Sequence, residues 1–192
     1  MSPSQFPQHC YTESMEKISQ QKGLGADTNK QSLWEKQISL LNKIGKEDLP
    51  IDTEELTETL AALNLSGIPT IASNAGHAIE ERHTGDTAYP WVLISTDQDK
   101  NNELSAYARI QTFLMEFYKD RQATDDIRLR AGDVFENQFI LSSMDEALLE
   151  KDSSADLTEE EKNSLIEALP ERQQEMYAFG QFLKFKFLAS NT

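Results

Sequence analysis

The run Pro90-Trp91-Val92-Leu93-Ile94-Ser95-Thr96 constrains the fold more than any other stretch of this chain. It is short, β-branched and aromatic, which suits a buried strand better than a helix. A strand needs partners for its backbone N–H and C=O groups, so the chain has to build a sheet around this one. Ile68-Pro69-Thr70-Ile71-Ala72-Ser73 offers a neighbour of the same character. Pro69 donates no hydrogen bond and is confined to the strand start or to an edge. Further on, Ile127-Arg128-Leu129-Arg130 alternates at period two, Gly132-Asp133 reads as a turn, and Phe139-Ile140-Leu141 as the next strand. Each pair has a short connection, which suits antiparallel pairing.

Helical periodicity fills the rest. Leu33, Trp34, Ile38, Leu41 and Ile44 recur at steps of three and four, closing near Gly45. A second helix starts after Pro50, where Asp52 and Glu55 approach a capping box, and carries Leu56, Leu60 and Leu63 to a stop at Gly67. Leu104, Tyr107, Ile110, Leu114 and Phe117 mark a third helix, reaching about Arg121. Ser143 with Glu146 would cap a short helix over 145–150. Thr158 with Glu161 opens another, to about Ala168, and Pro170 then starts the last one, because a first turn tolerates proline. Met176, Phe179, Leu183 and Phe187 line one side of that last helix, and Phe182, Phe185 and Leu188 widen it.

The expected architecture is therefore α+β: a four-stranded, mainly antiparallel sheet with helices packed on one face and a helical C-terminal region. Residues 1–28 read as a flexible arm, with one helical turn near Met15–Ile18. Residues 29–192 read as a single domain whose C-terminal part, 145–192, is helical and acidic.

Charge narrows the function. The 192 residues carry a formal net charge of −15. Phosphate backbones and anionic membranes repel such a surface, so direct nucleic-acid binding is disfavoured. A basic protein partner, or mimicry of nucleic acid, fits the sign. Residues 145–175 alone hold eleven carboxylates and three basic residues. They read either as a solvated helical face or as a grip for a basic partner. No apolar run approaches the ~18–20 residues that span a bilayer, and the first residues do not resemble a secretory signal. A lone cysteine, Cys10, forms no internal disulfide and belongs to no zinc-ligand spacing, which points to a reducing, cytoplasmic setting.

Chemistry-bearing residues gather in one loop: Ser73-Asn74-Ala75-Gly76-His77, then Glu80, Glu81, Arg82, His83 and Asp86, before Trp91. Gly76 permits a tight turn, and a histidine there can act as a general base, bind a ligand or simply cap the turn. His77 and His83 have neither the four-residue helical spacing nor a finger spacing, and no nucleophile elbow surrounds Ser73. Hence no catalytic residue, metal or cofactor is assigned. Ser73, Asn74, Gly76, His77 and Trp91 are the candidate ligand-binding set. Glu159, Glu160, Glu161, Phe182 and Phe185 are the candidate partner-binding set. A second basic grouping, Arg109, Lys119, Arg121, Arg128 and Arg130, either receives an anion or pairs with the protein's own carboxylates, with Arg128 and Arg130 expected on one strand face.

The stretch Ile68 to His77, followed by Pro90-Trp91-Val92-Leu93-Ile94, resembles a group of uncharacterised bacterial and phage proteins. Their pattern is Thr-x-x-Ser-Cys-x-Gly-His, then Pro-Trp-Val on the next strand. The resemblance covers about thirty residues and implies a shared hairpin, with Asn74 standing where the group has cysteine. A fainter similarity is to the methyltransferase of the third wybutosine step. Its Ser-Ser-Cys-Ser-Gly-Arg precedes a Trp-bearing strand, but here that cysteine is absent and His77 replaces the arginine. Function is thus expected to be non-enzymatic binding of another macromolecule, with a small-molecule or enzymatic site at the hairpin as the alternative and acidic mimicry of nucleic acid as the second.

Overall fold

The structure, a computed structural model, describes residues 30–47, 54–77, 89–96, 105–135, 137–143 and 158–190. Its elements are α1 (Lys30–Glu47), α2 (Glu54–Leu65), β1 (Thr70–Asn74), β2 (Trp91–Ser95), α3 (Ala106–Phe117), β3 (Arg130–Phe135), β4 (Gln138–Ser142) and α4 (Glu159–Ala189). The strands form one sheet in the order β1-β2-β4-β3, antiparallel throughout. The fold is α+β, as the periodicities imply. Pro69 precedes edge strand β1, and its carbonyl accepts a hydrogen bond from the Ser95 amide at 3.0 Å.

Register decides which side chains reach the core. Val92 stands opposite Leu141 and Ile94 opposite Phe139, and all four are buried. They join Trp34 and Leu41 of α1, Leu56, Leu60 and Leu63 of α2, Ile110 and Leu114 of α3, and Met176, Phe179 and Leu183 of α4. Helices thus cover one face of the sheet. On the other face Leu93 pairs with Ile140, and Trp91 with Ser142. Leu93, Ile140 and Trp91 are half-buried.

Helix α2 lies deepest. Thr59, Ala61, Ala62 and Leu63 are all at 0% exposure, so both its apolar stripe and its flanks are enclosed. Its small residues allow this. A Cβ placed on Gly180 of α4 would lie 2.9 Å from the Thr59 Cα, so the glycine lets the two backbones approach closely. Gly67, at φ +76°, ends α2 in the left-handed conformation its position suggests.

Four expectations fail. Gly132 and Asp133 are not a turn but the middle of β3, and the reversal comes after Phe135. A register shift between Asp133 and Phe135 absorbs the difference. Ile127 and Arg128 lie in a turn before the strand, so Arg128 and Arg130 do not share a strand face. Pro170 does not begin a new helix: α4 runs 31 residues through it. The loss of one backbone hydrogen bond, worth about 3 kcal/mol with the ring's clash, is outweighed by burial on both sides of the proline. Leu165 and Leu169 anchor one half of α4, and Met176, Phe179 and Leu183 the other. α3 is also shorter than expected, from its Ser105 cap to Phe117. The arm at 1–28, the Asp52 cap, residues 78–88 and the short helix at 145–150 lie outside the described residues.

Candidate functional site

The end of β1 meets α4 at a closed notch. The Asn74 side chain accepts a hydrogen bond from the Gly76 amide at 2.7 Å, tightening the turn. Gly76 has φ +79°, and a Cβ there would come within 2.7 Å of Leu169 Cδ1 and 2.8 Å of the Tyr89 carbonyl carbon. Gln173 Nε2 donates to the carbonyls of Ala75 and Gly76 at 3.1 and 3.2 Å. The glycine thus makes room for α4, whose Leu169 fills the space beside it. His77 follows, half-buried, with its Nε2 shielded from solvent.

The five hairpin candidates share this end of the sheet but not one face. Asn74 stands opposite Trp91, whereas Ser73 stands opposite the core residue Val92. Paired residues of an antiparallel sheet project to the same side, so Ser73 faces the helices and Asn74 and Trp91 face away. Ser142 pairs with both Trp91 and Arg130. One row across all four strands is therefore Asn74, Trp91, Ser142 and Arg130.

Two members of the basic grouping, Arg121 and Arg130, are paired with the protein's own carboxylates. Glu175 of α4, 4% exposed, accepts from Arg121 Nε and Nη2 at 3.1 and 2.5 Å. The Glu175 hydrogen bond raises the Arg121 guanidinium above its usual range. Arg172, 3% exposed, donates from Nε to the Asp126 carbonyl at 3.1 Å. The Tyr118 hydroxyl accepts from the Leu129 amide at 2.8 Å, and burial raises its pKa well above the usual phenol range. Arg128 lies over the Tyr118 ring at 4.5 Å, and Arg130 pairs with Asp125 at 3.2 Å. This network fastens the α3–β3 connection to α4. Arg172 and Glu175 had no distinguishing mark in the sequence, since their partners lie in the 118–130 connection.

The partner-binding candidates also divide. Thr158 and Glu161 form the expected capping box, with the Thr158 amide 2.9 Å from Glu161 Oε2. Glu159 pairs with Lys162 at 2.6 Å, while Glu160 is exposed. Phe182 is packed inward, 5.4 Å from Phe117 and 6.1 Å from Phe179 between ring centroids. Phe185 is 71% exposed and Leu188 36%. Their three-residue spacing sets them on one helix face with Gln181, turned away from Met176, Phe179 and Leu183. Basic side chains border that face: Lys184 pairs with Glu58 at 3.0 Å and lies 4.6 Å from the Trp34 ring, and Lys186 pairs with Glu116.

No protein-family model, no curated protein and no solved structure matches the chain. Among the described residues no cluster of three or more His, Cys, Asp or Glu side chains could hold a metal ion. No described helix is long and apolar enough to cross a membrane.

Proposed function

We propose that this protein works by binding another protein, through the outward face of α4. The observation that carries the reading is Phe185: a large aromatic side chain, 71% exposed, on the same helix that buries Met176, Phe179 and Leu183. Aromatic anchors of this kind dominate binding energy when a partner buries them. The exposed carboxylates toward the start of the same helix, Glu160, Glu167 and Glu171, extend the surface toward a basic partner, in keeping with a net charge of −15. A cytoplasmic setting goes with this reading, favoured by the single cysteine. The filling of the Gly76 notch by Leu169 weighs against the alternative of a small-molecule site centred there.

Affinity purification from the protein's own cells tests the proposal, using the wild type beside Phe185→Ser and Glu160→Lys. A partner recovered with the wild type should fall about tenfold or more with Phe185→Ser, as loss of an aromatic anchor requires. It should fall less with Glu160→Lys, whose charge sits at the rim. Equal recovery from all three proteins would contradict the reading.

A further inference from the structure

Helix α1 is seated differently from α2. The α2 backbone is locked against α4 by the close approach of Thr59 and Gly180. α1 packs chiefly on α2 and touches α4. Its seat rests on Trp34 and Leu41, both buried. A clasp holds the first of them: Lys184 of α4 lies 4.6 Å from the Trp34 ring and pairs with Glu58 of α2 at 3.0 Å. Between the two anchors, on the same buried stripe, stands Gln37 at 7% exposure. Its Nε2 is buried and has no hydrogen-bond partner among the described residues. A buried donor left unpaired forfeits its hydration, so docking α1 carries a cost that its release into water removes.

We infer that α1 is a detachable helix, leaving α2 and α4 as one unit while the sheet and the other helices stay folded. A position that served packing alone would be apolar, like its neighbours Trp34, Ile38 and Leu41 on the stripe. The amide weakens the seat without abolishing it. Departure of α1 breaks no strand pairing in β1-β2-β4-β3. It also leaves intact the Arg121–Glu175 pair and the Gly76 notch, which tie α4 to the rest of the fold. Units of this kind open at a lower free energy than the whole fold, and elements that move in regulation are drawn from them. Once released, α1 offers Trp34, Ile38 and Leu41 as an apolar stripe and uncovers the side of α2 on which they sat. None of this involves Phe185 or the outward face of α4.

Amide hydrogen exchange on the full chain, followed residue by residue in rising but sub-denaturing urea, tests the detachment. The expected result is that amides 37–42 of α1 share one protection factor. It should lie at least about tenfold below those of 59–63 in α2 and 176–183 in α4, with a shallower dependence on urea. Protection graded inward from the Lys30 end would mean fraying, and equal protection in all three helices would mean one cooperative unit. Either outcome would overturn the inference. Gln37→Leu, which removes the unpaired amide at similar volume, gives the second measurement. Protection of α1 should rise about tenfold in that variant, as relief of a buried unpaired donor requires. Unchanged or lower protection would show that Gln37 does not loosen α1, and the inference would fall with it.

Discussion

Gly76 shows how one residue links the hairpin to α4. Its positive φ and the 2.8 Å approach of a built Cβ to the Tyr89 backbone leave no room for a side chain. Gly76→Ala should cost about 2–4 kcal/mol, combining left-handed strain with displacement of Leu169, and a urea titration would read it. Loss of less than about 0.5 kcal/mol would mean that the turn is not held as described. Glu58 gives a pH signature. Burial raises its pKa, but hydrogen bonds from Lys184 and Gln181 outweigh that and hold it below 4.5. A carboxyl lowered by folding adds stability above its unfolded pKa and loses it as pH falls through the folded value. Glu58→Gln should therefore lose roughly 0.5 kcal/mol near neutrality, after solvent screening of a half-exposed pair, and nothing at a pH well below 4. Thermal melts at several pH values would show the two curves converging in acid. The choice between Ser73 and Asn74 was not legible from the chain alone. A register shift between Thr70 and Ala72 reverses which side chains face the core, and no local composition announces it.

Elements were legible where both ends of an interaction lie close in the chain. The Thr158–Glu161 box and the Gly67 stop are of that kind, and both stand where the residues place them. Pro170 is the opposite case. Local rules break the helix there, but contacts made by Leu169 with the hairpin and by Phe179 with α3 hold both halves in line. Since Pro170 is exposed, Pro170→Ala should restore a backbone donor to the Ile166 carbonyl and stabilise the protein by about 1–3 kcal/mol. Unfolding free energies would check this, and destabilisation would show that the proline shapes α4 in a way the packing requires. Gly180 was equally unreadable, because its reason is Thr59, far away in the chain. The same distance hid the Arg121–Glu175 pair, so an acidic run that looks wholly solvated contains one carboxylate buried at 4% exposure.

At the scale of the molecule, α4 has two unlike sides. Its inner side carries Leu165, Leu169, Met176, Phe179 and Leu183 into the core, and its network of Arg172 and Glu175 anchors the α3–β3 connection. Its outer side leaves Phe185 and Leu188 exposed at the end nearest α1. Those two side chains lie outside the buried core, which is the observation behind the proposed binding face. The most direct test measures both quantities on the double variant Phe185→Ser, Leu188→Ser: the thermal midpoint, and the recovery of a partner from the protein's own cells. The expected result is a midpoint within about 2 °C of the wild type, as for exposed substitutions, together with loss of the partner. A fall of more than about 5 °C, or a partner retained in full, would contradict the claim that this face is a binding surface.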